Sequence, residues 1–270
     1  MADKRRTVKT AKPTELTPIQ PNAGVESEYR RKVQALITSM QNSVLYYLTA
    51  VYRKVEPEAD LRVTGVKQIE SVLTTLKNRW LGKFDEAAPK LAAGFVAKAS
   101  KVIDANMTRQ LRDKGFGIHF ELTPEMRAIV HTEIVQNVSL IQSIPSQYFT
   151  EVEGLVMRSV AAGGDLKMLS EELHKRYGIT LDRAGRIALD QNKKVNAVMS
   201  RVRQLEAGFT HAEWRHTTCK YPRQSHIDFS GTIYEIAKGA LIDGERIWPG
   251  EKIGCHCLSL PVRPDYMKRR

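Results

Sequence analysis

The strongest constraint on the fold is a spacing of three and four residues between apolar side chains, which recurs over residues 28–205. In the first segment this spacing joins Val33, Leu36, Ile37, Met40, Val44, Leu48 and Val51. Residues three and four apart share one face of an α-helix, so each segment predicts an amphipathic helix whose apolar face packs in a core. Later segments with the same spacing begin at Ile69, Leu91, Ile129 and Tyr148.

Proline and capping residues predict where the middle helices begin and end. Pro57 closes the first helical segment. Thr123 followed by Pro124 predicts a helix start, because threonine caps the first turn and proline fits the first helical position. Pro145 predicts a break, since the residue before a proline is biased away from helix.

Two more capping residues divide the last helical segment. Asp165 predicts the cap of a short helix that ends at Gly178. Thr180 predicts the cap of a long helix that reaches Leu205. Two successive helices are therefore expected over this stretch.

The last part of the chain has a different pattern, with more aromatic, glycine and proline residues. Three short runs favour strands: 211–216, 232–236 and 255–262. A stretch of about 55 residues has little core of its own. We expect it to pack on the preceding helix, to bind a metal, or both. The predicted fold class is α+β, a mainly helical N-terminal region followed by a small mixed α/β C-terminal module.

The predicted domains are a disordered basic arm over 1–26, a helical region over 27–178 and the C-terminal module over 179–270. The net charge of +12 and a pI near 9.6 favour a polyanionic partner such as DNA, with solubility as the alternative explanation. The arm supplies candidate contacts to DNA or a partner subunit; the alternative is an unstructured tail. These candidates are Lys4, Arg5, Arg6, Lys9 and Lys12.

The composition gives no indication of a membrane protein. No stretch reaches the roughly 18 consecutive apolar residues of a membrane helix. Residues 1–12 are basic but lack the apolar segment of a secretory signal. We therefore expect synthesis and action in a cytoplasm, without a membrane partner.

Three cysteines cluster in the last fifth of the chain, and with one histidine they form a candidate metal site. The proposed ligands are Cys219, His226, Cys255 and Cys257, with His216 and His256 as spare candidates. Thiolate and imidazole ligands in a tetrahedron suit structural zinc, and such a site stabilises a module with a small core. Two alternatives stay open: buried free thiols, or a disulfide from Cys219 to Cys255 or Cys257.

The same cluster raises the question of catalysis. A Cys–His pair can form a nucleophile, and a three-ligand zinc can activate water. The sequence contains no H-E-x-x-H, G-x-S-x-G or Walker-type motif. We therefore predict no catalytic residues and a protein that is not an enzyme.

Five elements in order resemble the phage Mu F-like head morphogenesis family. Arg183-Ala184 opens a segment similar to the family's R-A-x-x-I-A helix start, and Trp214 lies in an element similar to W-R-T-S. The remaining three elements resemble R-x-x-H-x-x-x-D-G, a closing P-G and C-R-C. They are carried by Arg223, His226, Gly231, Pro249, Gly250, Cys255 and Cys257.

The chain departs from the family at several positions. Cys219 occupies the place of a common aspartate seven residues before the histidine, and Ser230 replaces the aspartate of D-G. An acid–base role is therefore less expected here than a metal- or thiol-stabilised fold.

The resemblance implies a minor head protein of a tailed phage, which acts in head morphogenesis at or near the portal inside the procapsid. It implies portal or major capsid protein as partner, docked on the helical region. It also implies proximity to packaged DNA, several copies per head, and location in the virion after assembly in the host cytoplasm. The alternatives are a zinc-dependent hydrolase, either a nuclease or a peptidase, and a non-specific DNA-binding protein.

Overall fold

The computed structural model describes residues 16–54, 64–121, 123–162 and 165–262. Four long helices come first, and a short helix and five strands follow. They are α1 Ala23–Lys54, α2 Thr64–Arg112, α3 Pro124–Ala161, α4 Leu166–Glu206, β1 His211–Arg215, α5 Gln224–Asp228, β2 Ile233–Glu235, β3 Ala240–Ile242, β4 Glu245–Ile247 and β5 Leu258–Val262. The predicted α+β class is confirmed. The basic residues of the arm from Lys4 to Lys12 lie outside the described residues.

The apolar faces predicted from the sequence are the buried faces of the helices. On α1, Ile37, Met40 and Val44 are fully buried, and on α2 the side chain of Phe84 is fully buried. Burying each such side chain contributes about 1.5–3 kcal/mol relative to exposure. These faces therefore supply most of the apolar core of the helices.

Two predicted helix starts are confirmed. The Thr123 hydroxyl accepts a hydrogen bond from the backbone N–H of Met126 at 3.2 Å, and Pro124 is the first residue of α3. The Asp165 carboxylate accepts one from the N–H of Met168 at 3.0 Å. Each side chain satisfies a donor that the first helical turn leaves free.

Two predicted helix ends are wrong. Pro145 lies inside α3, where it is buried beside Ile144 and Tyr148. A proline within a helix costs about 3 kcal/mol or more, and burial of the large side chains around it offsets that cost. Gly178 lies inside α4, where a glycine costs only about 1 kcal/mol. Thr180 does not cap a helix, because its hydroxyl donates to the carbonyl of Arg176 at 2.8 Å.

The chain divides into two compact units. The helical unit comprises Asn22–Ala99 and Thr123–Val195. The described residues of the strand-bearing unit fall within Met1–Pro21, Ser100–Leu122 and Asn196–Arg270. The domain limits predicted from the sequence stay a prediction.

A buried polar network crosses the core of the helical unit. The Tyr29 hydroxyl donates to Oδ1 of Asn137 at 3.1 Å, and Nδ2 of Asn137 donates to Oε1 of Gln191 at 3.2 Å and to the carbonyl of Glu133 at 2.8 Å. The Tyr29 ring stacks on Phe95 with centroids 4.3 Å apart. Because a buried polar group costs stability unless it is paired, these bonds fix how the helices of this unit align.

The strand-bearing unit is built on a three-stranded antiparallel sheet in the order β2-β1-β5. The second sheet is the β3–β4 hairpin, which the sequence patterns did not predict. Asp243 and Gly244 form its two-residue turn with φ values of 53° and 79°. Such turns require positive φ at both positions, which Asp-Gly tolerates. The predicted strand over 255–262 begins only at Leu258, so both cysteines precede it.

A buried arginine anchors the end of α4 within the same unit. Arg203 is 2% exposed, and its guanidinium donates to both carboxylate oxygens of Asp104 at 2.6 and 2.8 Å. It also donates to the Glu206 carboxylate at 2.6 Å and to the carbonyl of Glu121 at 3.0 Å. The charge lies 4.7 Å from the ring centre of Phe120. These contacts compensate the buried charge.

The helices within the described ranges contain no uncharged apolar stretch of the length that a membrane span requires.

Candidate functional site

Three of the four proposed metal ligands lie together in the strand-bearing unit. His226 is on α5, and Cys255 and Cys257 lie on the loop before β5. All three are buried, with 3–4% of each residue exposed. One ligand atom of each lies within 4.8 Å of the others. The fourth proposed ligand, Cys219, is half-buried and is not part of this group.

The distances centre on imidazole nitrogens and thiol sulfurs. Nδ1 of His226 lies 3.5 Å from Sγ of Cys255 and 3.7 Å from Sγ of Cys257. Nδ1 of His216 lies 3.6 Å from Sγ of Cys257. The cluster thus brings two imidazoles and two sulfurs together. The sequence named His216 only as a spare candidate, but its imidazole lies directly beside the Cys257 sulfur.

The register of the sheet explains the position of His216. Strands β1 and β5 are antiparallel, and Arg215 lies opposite Leu258. One step beyond that pair, His216 follows β1 and Cys257 precedes β5. Residues opposite each other in an antiparallel pair lie close together. The Thr217 hydroxyl donates to the carbonyl of His256 at 2.5 Å and holds the two chain segments together.

The two buried thiols are not equivalent. The hydrogen bond with the neighbouring Cys257 side chain is the largest cause that lowers the pKa of the Cys255 thiol. The backbone N–H groups of Cys257 and Gly250 act in the same direction. The same bond and burial raise the pKa of Cys257. All three cysteines are free, so the structure does not contain the alternative disulfide.

Residues that carry the family resemblance surround this cluster. Arg223 donates from Nη2 to the carbonyl of Ile253 at 3.0 Å and so holds the cysteine loop. The N–H of Gly231 donates to the carbonyl of Trp214 at 2.8 Å, and its φ of 88° favours glycine. Gly250 has a φ of 84°, and its backbone N–H lowers the pKa of the Cys255 thiol.

Trp214 packs directly on the cluster from the central strand. It is fully buried, and its ring meets that of His226 edge-on with centroids 5.1 Å apart. Pro249, which precedes Gly250, is also buried.

Two further motif residues, Arg183 and Ala184, belong to the helical unit and not to this cluster. There Arg183 donates to the Ser143 hydroxyl at 2.9 Å, and burial lowers the pKa of its guanidinium.

Two hydroxyl groups, of Thr217 and Ser230, hold the backbone around the cluster through hydrogen bonds that motif spacing did not predict. The Ser230 hydroxyl accepts a hydrogen bond from the N–H of His216 at 3.1 Å. Ser230 stands where the family has an aspartate, and this departure was the only available signal for it. Thr217 lies in the element that resembles W-R-T-S, but its contact was not predictable from the motif because its partner is a backbone carbonyl.

A buried pair of thiols beside imidazoles has two chemical uses: it binds a soft cation or it packs as reduced thiols. Nucleophilic catalysis requires a sulfur that a substrate can reach. Cys255 and Cys257 are 4% and 3% exposed. The geometry therefore supports a stabilising role for the cluster.

The fold and the cluster define a helical protein with a C-terminal module built around a buried Cys–His group. Residues 150–260 match the family model described as "Phage Mu protein F like protein". The resemblance predicted from the ordered motifs is confirmed over this range, and the match supports a phage head morphogenesis protein. The matched range includes the last part of α3, all of α4 and the five strands except the last two residues of β5.

One relative extends the likeness beyond the family match. An uncharacterized protein of Haemophilus influenzae (strain ATCC 51907 / DSM 11121 / KW20 / Rd) is 24% identical over 260 residues. The alignment covers 93% of this chain and 56% of the relative. The chain thus spans little more than half the length of that protein. No solved structure matches the chain significantly.

Proposed function

We propose that this protein is a minor head protein of a tailed bacteriophage that acts in head morphogenesis at or near the portal inside the procapsid. The match of residues 150–260 to the Mu F-like family carries the proposal. The motif residues Trp214, Arg223, Gly231 and Gly250 support it, because each makes a contact that builds the C-terminal module. The protein acts by binding portal or capsid protein, and its function requires no catalytic turnover.

An exposed aromatic pair on α1 supports docking through the helical region. Tyr46 and Tyr47 are 70% and 41% exposed, and their rings meet edge-on with centroids 5.1 Å apart. Tyrosine is enriched at protein interfaces, where it buries a large rigid surface. We assign this pair to the contact with portal or capsid protein.

Replacing both Tyr46 and Tyr47 with alanine is expected to lower incorporation into procapsids by tenfold or more, which corresponds to about 1.4 kcal/mol or more of lost binding. The thermal midpoint of the purified protein should stay unchanged, because both side chains are exposed. Copies per particle are measured by quantitative mass spectrometry of procapsids and mature heads from the phage or prophage that encodes the chain.

The matched control is Tyr221→Ala, since Tyr221 is 79% exposed but lies in the strand-bearing unit. It should be incorporated like the unchanged protein. Absence of the protein from both procapsids and heads would overturn the proposed function. Normal incorporation of the double variant would overturn the docking surface.

We also propose that the protein contacts packaged DNA without sequence preference, as its net charge of +12 supports. The candidate contacts are Lys4, Arg5, Arg6, Lys9 and Lys12. Replacing all five with glutamine is expected to reduce the slope of log affinity against log salt by up to about 4–5, at roughly 0.9 per phosphate contact on duplex DNA.

This slope is measured by fluorescence anisotropy with a random-sequence duplex. The charge-preserving variant with Arg5→Lys and Arg6→Lys is the control and should keep the slope. An unchanged slope in the glutamine variant would remove the arm as a DNA contact. A salt-insensitive affinity in the unchanged protein would remove DNA as a partner.

A further inference from the structure

We propose that His216, His226, Cys255 and Cys257 bind one Zn²⁺ ion in a closed tetrahedral site that stabilises the strand-bearing unit. Three of these ligands are those predicted from the sequence. His216 replaces Cys219 as the fourth. The site goes beyond the proposed role in head assembly, because it concerns how the module is held folded.

Three nitrogen–sulfur distances in the cluster fit such an ion. Zn–S bonds of about 2.3 Å and Zn–N bonds of about 2.0–2.1 Å at tetrahedral angles place sulfur and nitrogen about 3.5–3.6 Å apart. The three observed nitrogen–sulfur distances are 3.5, 3.6 and 3.7 Å. They involve both imidazoles and both sulfurs.

The four side chains offer the lone pairs that such an ion binds. The Cys257 sulfur faces the Nδ1 atoms of both His216 and His226, and the Cys255 sulfur faces Nδ1 of His226. A divalent cation accepts one lone pair from each of four such ligands.

The surroundings of the site keep it closed to solvent. The fully buried ring of Trp214 meets that of His226 edge-on with centroids 5.1 Å apart, and both cysteines are buried. A dry, shaped environment of this kind suits a structural metal site.

His216 is a better fourth ligand than Cys219 because a direct distance joins it to the cluster and the register of β1 and β5 holds it opposite Cys257. It lies outside the group whose ligand atoms are all within 4.8 Å of one another, so its half-buried side chain moves toward the ion on binding. Cys219, three residues further along the chain, lies outside the group of ligand atoms and is not assigned to the ion.

Four protein ligands leave no coordination position for water. Structural zinc sites are closed in this way, whereas catalytic sites keep one position open. The chain's short strands and small core fit this role, since metal binding adds directly to the folding free energy of such a module.

The test uses the full-length protein, purified after expression in zinc-supplemented medium. Elemental analysis should give about one equivalent of zinc, and a value below about one tenth would overturn the site. After exchange to Co²⁺, the intense visible bands of a tetrahedral ion and the charge-transfer band of two thiolates are expected. Weak visible bands, as given by five- or six-coordinate cobalt, would overturn the closed geometry.

Two variants at half-buried positions distinguish the fourth ligand. His216→Ala should lower zinc affinity at least tenfold in a competition with a chromophoric chelator. Cys219→Ser should leave the affinity and the two-thiolate cobalt band unchanged. A three-thiolate band that Cys219→Ser reduces, with affinity retained in His216→Ala, would overturn the assignment. Neither measurement depends on head assembly, so the site and the proposed function fail independently.

Discussion

Replacing Trp214 with alanine is expected to lower the free energy of unfolding of the strand-bearing unit by about 3–5 kcal/mol. The side chain is fully buried on the central strand, and its ring meets His226, Phe229 and Tyr234 edge-on with centroids 5.1–6.2 Å apart. Its removal leaves a cavity between the sheet and the Cys–His cluster. Differential scanning calorimetry should show the affected transition lowered by roughly 6–20 °C.

The variant Trp214→Phe separates two contributions of Trp214 to stability: the packing of its ring and the interaction of its indole N–H with the Cys257 sulfur. Trp214→Phe keeps an aromatic ring and removes the indole N–H that acts on the Cys257 sulfur. Trp80 in the helical unit is the matched control, since its buried indole N–H also has no hydrogen-bond partner. In the zinc-bound protein proposed above, in which Cys257 is a thiolate, the cost of Trp214→Phe should exceed that of Trp80→Phe by about 1.5–3 kcal/mol, the worth of a hydrogen bond to a charged group. Equal costs in that form would contradict a thiolate at Cys257.

The second large effect is expected at Arg203. Arg203→Ala should destabilise the same unit by about 1.5–3 kcal/mol, because it removes the buried guanidinium and its charge-assisted hydrogen bonds to the half-buried Asp104 and Glu206 carboxylates. Arg203→Lys should recover only part of the loss, since an ammonium group cannot reproduce the two parallel hydrogen bonds to Asp104. Urea unfolding followed by circular dichroism measures both changes.

Arg215 provides the control for a surface ion pair. It forms a 2.9 Å contact with Glu213, and its side chain is 47% exposed. Arg215→Ala should change stability by less than about 1 kcal/mol. If Arg203→Ala also falls below that limit, the Arg203 cluster does not anchor the end of α4.

Local patterns predicted the helical part of the fold well. A spacing of three and four residues depends only on helix geometry, so the buried faces carrying Ile37, Met40 and Val44 follow directly from it. The caps at Thr123 and Asp165 were equally local, because each bonds a backbone N–H three residues away. The Asp243-Gly244 pair is a local signal for the β3–β4 hairpin, but the charged Glu245 and Arg246 that follow it do not form an apolar strand pattern.

The wrong helix ends have a common physical cause. Pro145 and Gly178 disfavour a helix locally by about 3 and 1 kcal/mol. Burial of neighbouring residues such as Tyr148 and Leu173 outweighs these penalties. That burial depends on helices distant in the sequence, so it is not visible in the local pattern.

The sequence by itself determined the α+β class, the helical faces and the family resemblance, because these follow from residue type, period and order. It also named His226, Cys255 and Cys257, which lie together in the fold. Only the tertiary structure showed which further side chain lies beside them. Cys219 is the better ligand by residue type, but the antiparallel register of β1 and β5 brings His216 to the Cys257 sulfur. Strand register is a long-range property, and spacing along the chain does not contain it.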